Sequence, residues 1–185
     1  MAGEIKMLPP NITVLWVPLE NGIEDINAPQ AEELTFTLDG GVEDPGPAYN
    51  ITCAITQSDF TANFTERDTN DDKSLCDDSN VATPIYKNYE VALTAFRDAN
   101  IENNESVYNL FYNLFRKPLQ PGYIVTRIGK LHDEPFVDGD DVQVFEVLSG
   151  DPQNVHNDGE PVKMTVNFFP QGSSSNGYVA VGGES

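Results

Sequence analysis

Short runs of apolar and β-branched residues recur along this chain, and Gly, Pro, Asn or Asp stops each one. Ile12-Thr13-Val14-Leu15-Trp16-Val17 lies between Asn11 and Pro18. Such a run is too short for a helix and rich in residues that favour a pleated surface. Leu34-Thr35-Phe36-Thr37-Leu38 alternates strictly, which predicts a strand with one apolar face and one threonine face. Asp39-Gly40-Gly41 then signals a turn and opens a Gly/Pro-rich loop. Ile51-Thr52-Cys53-Ala54-Ile55-Thr56 is β-rich, and Phe60 and Phe64 mark a weaker strand over 59–65. A long strand is expected from Pro84 to Arg97, with Tyr89, Val91, Leu93 and Ala95 on one face. Three more follow at about 122–130, 141–148 and 161–169. Asp138-Gly139-Asp140 and Gly150-Asp151-Pro152 separate them.

The period changes once. Val107, Leu110, Phe111, Leu114 and Phe115 fall at i, i+3, i+4, i+7 and i+8, one stripe of an amphipathic helix. The spacing predicts a helix over about 104–116. Asn103 or Asn104 can cap its start, and Pro118 forbids continuation. The aromatic stripe reads as core packing. A mainly β domain with one helix follows, a sandwich or partial barrel. The whole chain, 1–185, reads as one domain: an arm over 1–10, a core over 11–170 and a Gly/Ser-rich arm over 171–185.

Charge narrows the function. Thirty acidic residues against ten basic ones give a formal charge of −20. A phosphate-binding surface needs clustered Lys and Arg to displace counterions, and this chain scatters the few it has. Sequence-specific nucleic-acid binding is thereby disfavoured, although acidity also serves solubility alone. Cys53 sits in an apolar run and reads as a small core residue. Cys76 lies in the acidic stretch and reads as exposed. Two cysteines make no disulfide framework, so reduced thiols in a cytoplasm are expected. No signal-peptide stretch and no window of ~20 apolar residues is visible, so no membrane association is expected.

Catalytic chemistry finds little support. His132 and His156 both fall in turn-like contexts, without metal-ligand spacing. No nucleophile elbow, P-loop or dinucleotide fingerprint appears. Asp68, Asn70 and Asp72 match the first ligand positions of a calcium loop. However, Lys73 stands where the turn glycine belongs and Ser79 where the bidentate Glu belongs. No catalytic residue, metal or cofactor is therefore assigned. Residues 66–80 read instead as a long exposed loop, or as an assembly loop that orders on docking. Thr35, Thr37, Thr52, Thr56, Thr94, Thr126, Thr165 and Asn167 recur among apolar neighbours. They make either an ordinary solvent face or a face lining a water-filled channel.

The segments NITCAITQSDF (50–60), ERDTNDDKSLCDDSN (66–80), YEVALTAFRD (89–98), YNLFYNLFR (108–116), GYIVTRIGK (122–130), VFEVLSGDPQNV (144–155) and VNFFPQG (166–172) occur in one order. In that order the chain resembles the major tail tube proteins of siphophages, particularly those infecting actinobacteria, over roughly residues 11–172. The resemblance implies a β-sandwich flanked by a helix. It further implies six subunits in a ring, with inner sheets joined into a barrel, and rings stacked around a tape-measure protein. Tail-terminator and distal tail proteins would be further partners, and DNA would pass through an acidic lumen without specific binding. Assembly would occur in the host cytoplasm, and the product would be the virion tail.

Under the resemblance, residues 1–10, 39–49 or 66–83, and 171–185 are the parts that bridge rings. The candidate inter-subunit loop comprises Glu66, Arg67, Asp68, Asp71, Asp72, Lys73, Asp77 and Asp78. Its candidate basic partners are Arg116, Lys117, Arg127 and Lys130. A tail-terminator or head–tail joining protein of similar fold is an alternative. A secreted β-sandwich adhesin or carbohydrate-binding module is another, allowed by four N-x-Ser/Thr sequons at Asn11, Asn50, Asn63 and Asn104.

Overall fold

A computed structural model of the chain describes residues 12–37, 46–70, 73, 75–76 and 83–178, excluding the side chains of 176–178. Ten strands and one α-helix are formed among them. The strands are β1 (Ile12–Pro18), β2 (Tyr49–Asn50), β3 (Ile55–Thr65), β4 (Thr69–Asn70), β5 (Thr83–Pro84) and β6 (Asn88–Phe96). After the helix α1 (Val107–Phe115) come β7 (Pro121–Ile128), β8 (Asp141–Ser149), β9 (Gln153–Val155) and β10 (Lys163–Tyr178). One sheet takes the order β2-β1-β7-β8-β10-β6-β3, with β9 added to β10, and all its pairings are antiparallel. β4 and β5 form a separate two-stranded ribbon. Of the two architectures expected, the partial barrel is the one found: a single sheet curled into a half-barrel.

The hollow of the curl holds the larger core. Strand alternation sends Val14 and Trp16, Ile124, Phe145 and Val147, Met164, Val166 and Phe168, and Tyr89, Val91, Leu93 and Ala95 inward. Helix α1 plugs the hollow with Phe111 and Phe115, both buried. Full burial of such side chains stabilises by about 1.5–3 kcal/mol each. Phe115 meets Trp16 edge-on at 5.0 Å between ring centroids and Phe168 at 5.3 Å. Phe64 and Tyr89 reach Phe145 across the curl at 5.2 and 5.5 Å.

A second, smaller core lies on the opposite face, over β1, β7 and β8 only. Leu15, Val17, Tyr123, Val125, Val142 and Val144 pack there beneath Ile23, Leu34, Ala48 and Phe136. None of its members comes from β10, β6 or β3. The sheet is thus covered on both faces in one half and on one face in the other.

Several expectations are corrected. Leu34–Phe36 is not a strand. Residues Ala31–Leu34 make a 3-10 turn. Glu33 accepts the backbone N–H groups of Gln30 and Glu24, both at 2.8 Å, which locks that turn. Leu34 and Phe36 still join the second core, as a flap and not as a ladder. Thr52–Ala54 is likewise a 3-10 turn, because Thr52 Oγ1 accepts from Val14 N and Ile51 N donates to Val14 O. That turn leaves Cys53 exposed and not in the core.

Helix α1 starts after Ser106, later than Asn103 or Asn104. Asn109 Nδ2 donates to the carbonyls of Asn100 and Asn103, which fixes the preceding loop outside the helix. The hydroxyl of Ser106 bonds the carboxylate of Asp98 and holds its pKa below the usual value. Residues 171–178, expected in a flexible arm, continue β10 and pair with β8 through a bulge between Pro170 and Ser174. The arms at 1–10 and 179–185 lie outside the described residues.

Candidate assembly surface and its supports

The uncovered half of the sheet presents a face built by period-two alternation. Because Ala62, Val91, Leu93, Met164 and Val166 point into the hollow, their neighbours point the other way. Those neighbours are Thr61, Asn63 and Thr65 of β3, Glu90, Ala92 and Thr94 of β6, and Lys163, Thr165 and Asn167 of β10, with Lys163 Nζ 3.9 Å from the Asp59 carboxylate. Thr94 and Thr165 stand opposite each other in the ladder and share a 2.8 Å hydrogen bond. Of the recurrent threonines, only Thr94 and Thr165, with Asn167, fall on this face. Thr94 is itself buried, as are Thr126 and Thr56; Thr52 braces β1, and Thr35 and Thr37 lie in the flap.

The face is hydroxyl- and amide-rich, with Glu90 as its carboxylate. Among the described residues, 21 of the thirty acidic ones, only Asp59, Glu90, Asp141 and Glu146 lie in strands, and α1 holds none. Most of the described acidic residues therefore lie in connecting segments.

The sheet ends in free edges. β3 pairs with β6 and, among the described residues, with nothing on its other side. Its eleven residues form the kind of edge that a second chain extends. Beyond β3 the chain continues into the β4–β5 ribbon. Ile85 N donates to Asp68 O at 2.7 Å, and Asn88 Nδ2 donates to Glu66 O and Asp68 Oδ1. The candidate loop residues Glu66, Arg67, Asp68 and Lys73 are exposed on this projection. Asp71, Asp72, Asp77 and Asp78 fall outside the described residues.

The candidate basic residues divide. Arg116 and Lys117 are exposed at the end of α1. Arg127 has no surface to offer a neighbour, because it is wholly buried in its own chain. It forms an ion pair with Asp140 and donates to the carbonyls of Leu131, Glu134 and Pro135 and to Thr13 Oγ1. Its guanidinium also lies 4.2 Å from the Phe136 ring centre. Lys130 pairs with the other oxygen of Asp140. Both cations hold the 129–140 loop against the second core, Arg127 from the interior and Lys130 from the surface, where its side chain stays 35% exposed. Nothing in the sequence spacing of Arg127 distinguishes it from a surface cation.

Burial pushes the Asp140 carboxyl up, but Lys130, the Val137 N–H and Arg127 outweigh it and hold its pKa below the ordinary value. His132 and His156 share no site: His132 is half-buried in the β7–β8 loop and His156 is exposed in the β9–β10 loop. Among the described residues, no group of three or more His, Cys, Asp or Glu side chains is placed to hold a metal ion. No helix there is long and apolar enough to cross a membrane.

A protein-family model described as phage tail tube protein matches residues 7–183. No curated protein matches the sequence. Among solved structures, the fold is similar to a chain of the cryo-EM structure of the anti-feeding prophage baseplate, 6-fold symmetrised. The TM-score is 0.52 at 12% identity, over 93% of this chain and 95% of that one. The half-barrel with its plugging helix and the family match over nearly the whole length agree, and the chain belongs to the phage tail tube protein family, a structural component of the virion tail.

Proposed function

We propose that copies of this chain join edge to edge into rings, that the rings stack into a tube, and that DNA passes through it during ejection. The uncovered face of β10, β6 and β3 forms the inner wall. One observation carries this reading: the second core stops at β8, so half the sheet keeps a bare, wettable face beside the long free edge of β3. A monomer gains nothing from such an edge, whereas a ring consumes it. Ring-to-ring contact is head-to-tail and does not close, so it yields a filament whose length another component must set. The tape-measure, terminator and distal tail proteins are the partners that such a filament requires. Six subunits per ring accords with the symmetry of the assembly that contains the structural neighbour.

The wall suits a sliding polyanion. The hydroxyls of Thr61, Thr65 and Thr165 and the amides of Asn63 and Asn167 hydrate the surface, Glu90 adds negative charge, and the cation of this face, Lys163, is offset by Asp59 3.9 Å away. Acidic rims contribute too, since the Debye length at 0.1 M salt is about 10 Å.

Electron microscopy of concentrated protein tests the assembly, with long hollow tubes expected and only closed single rings counting against it. Cysteine placed at Asn167 in a Cys53→Ser/Cys76→Ser background tests the wall. In tubes it should react with a small maleimide and resist one carrying a large polymer. Equal reaction with both would put this face on the outside.

A further inference from the structure

β6 and β10 part company at the bulge. Their ladder ends at the Phe168–Val91 pair, and beyond it β10 pairs only with β8. Among the described residues no strand takes the outer edge of β10 from Gln171 to Tyr178. The Tyr89 hydroxyl accepts the N–H groups of Gln171 and Gly172 at 3.0 and 3.2 Å, which fixes where the split begins. Past the split lies a groove of about 340 Å³. Phe64, Thr65 and Arg67 form one wall, with Lys87 and Asn88 beside them, and Ser175 stands across on β10. Ser175 is fixed by a 2.8 Å hydrogen bond to Asn27. The neighbouring Ser174 hydroxyl is buried without a hydrogen-bond partner.

The charge of this groove runs against that of the chain. Arg67 and Lys87 are two of only ten cations in the sequence. No carboxylate lines the groove, and the nearby Asp68 is engaged by the Asn88 amide at 3.0 Å. Among the described residues neither Arg67 nor Lys87 takes part in a salt bridge. A free strand edge recognises an extended peptide by its backbone, and cations at its side select a peptide bearing carboxylates. In a protein of charge −20, the surface most abundant in carboxylates is that of another copy.

We propose that this groove receives an extended, carboxylate-bearing segment of a second copy of the chain, laid along the outer edge of β10 with its acidic side chains between Arg67 and Lys87. The proposal rests on the tube reading for its partner and names the place where that partner docks. It also gives like-charged subunits one point of attraction.

The test compares wild type with Arg67→Glu/Lys87→Glu and the milder Arg67→Gln/Lys87→Gln by sedimentation at fixed ionic strength, with thermal melts to monitor folding. Both changes lie on exposed side chains. The critical concentration for assembly should rise at least tenfold on reversal and less on neutralisation, with melting unchanged. Assembly of the folded reversal variant at the wild-type concentration overturns the groove while leaving the tube intact.

A second arm is independent of tubes. Fluorescent peptides of residues 66–80, 98–106 and 151–160 are titrated against the wild-type protein. At least one should bind, and should weaken tenfold or more when its acidic residues become amides or when the protein carries Arg67→Gln/Lys87→Gln. Binding by none, or binding indifferent to both changes, also overturns the groove. A wild type that binds peptide and forms no tubes refutes the tube reading alone.

Discussion

Arg127 Nη1 lies 3.2 Å from Asp140 Oδ2, with both side chains sealed from solvent between the sheet and the 129–140 loop. Removing one partner of such a pair leaves an uncompensated buried charge, at a cost of about 3–5 kcal/mol. Asp140→Ala should destabilise by that order in urea unfolding, and Arg127→Leu by less, because Lys130 still pairs with Asp140. The double variant should cost less than the two combined, because the orphaned charge is gone. Strictly additive losses would show that the pair is not coupled.

The same pair sets a pH dependence. The folded Asp140 pKa is held below its unfolded value, so the pair's contribution is present above the unfolded pKa of about 3.9. It is lost as pH falls through the lower folded value. Melting temperature should therefore drop on acidification below about pH 4, and drop less steeply in Asp140→Asn. Parallel acid profiles for wild type and variant would remove Asp140 from the cause.

Tyr89 holds the bulge from which β10 turns away from β6. Its hydroxyl donates to Glu146 O and accepts from two backbone N–H groups, and burial raises its pKa further from neutrality. Tyr89→Phe keeps the ring contact with Phe145 and strands those backbone groups. A loss of about 1–3 kcal/mol is expected. Amide exchange should quicken at Gln171 and Gly172 before it quickens elsewhere, and unchanged protection there would deny the hydroxyl its role.

Gly122 permits the Trp16 indole to lie against β7. A Cβ at this position would come within 2.6 Å of both the Trp16 ring and the Val17 carbonyl oxygen. The carbonyl is fixed by the β1–β7 ladder, so the clash cannot be relieved by a side-chain swing. Gly122→Ala should destabilise by about 1–3 kcal/mol. A matched shift in tryptophan fluorescence would locate the strain, since Trp16 is the sole tryptophan.

Local periodicity carried the elements that local physics decides. The stripe of Val107, Leu110, Phe111, Leu114 and Phe115 places α1, and the alternation through Tyr89–Ala95 places β6 with its inward face correct. The elements that depended on distant partners were not legible. Residues 171–178 are poor strand formers, and only the ladder to Asp141–Phe145 makes them strand. Leu34 and Phe36 alternate like a strand but are fixed by Glu33 in a turn. Arg127 looked like a surface cation because its ion partner is thirteen residues away and its hydroxyl partner, Thr13, is 114 away. The bare face was partly legible, since Thr94, Thr165 and Asn167 were among the threonine-rich positions. Which of them shared a face required the sheet order.

Acidity at the rims sets a condition on assembly. Each chain carries −20, so a ring of six would carry −120, six times that figure. Because strands hold only four of the 21 described acidic residues, most of the described negative charge sits in connecting segments, which stacked rings would bring together. Screening shortens the range of that repulsion from about 30 Å at 0.01 M salt to about 8 Å at 0.15 M. The critical concentration should therefore fall as salt rises over this interval, and fall further with millimolar divalent cations, as read by light scattering. Attraction at Arg67 and Lys87 weakens over the same interval, so salt should help a folded Arg67→Gln/Lys87→Gln variant at least as much as wild type. Assembly that is equal or faster at low ionic strength without divalents would mean that rim repulsion does not limit polymerisation.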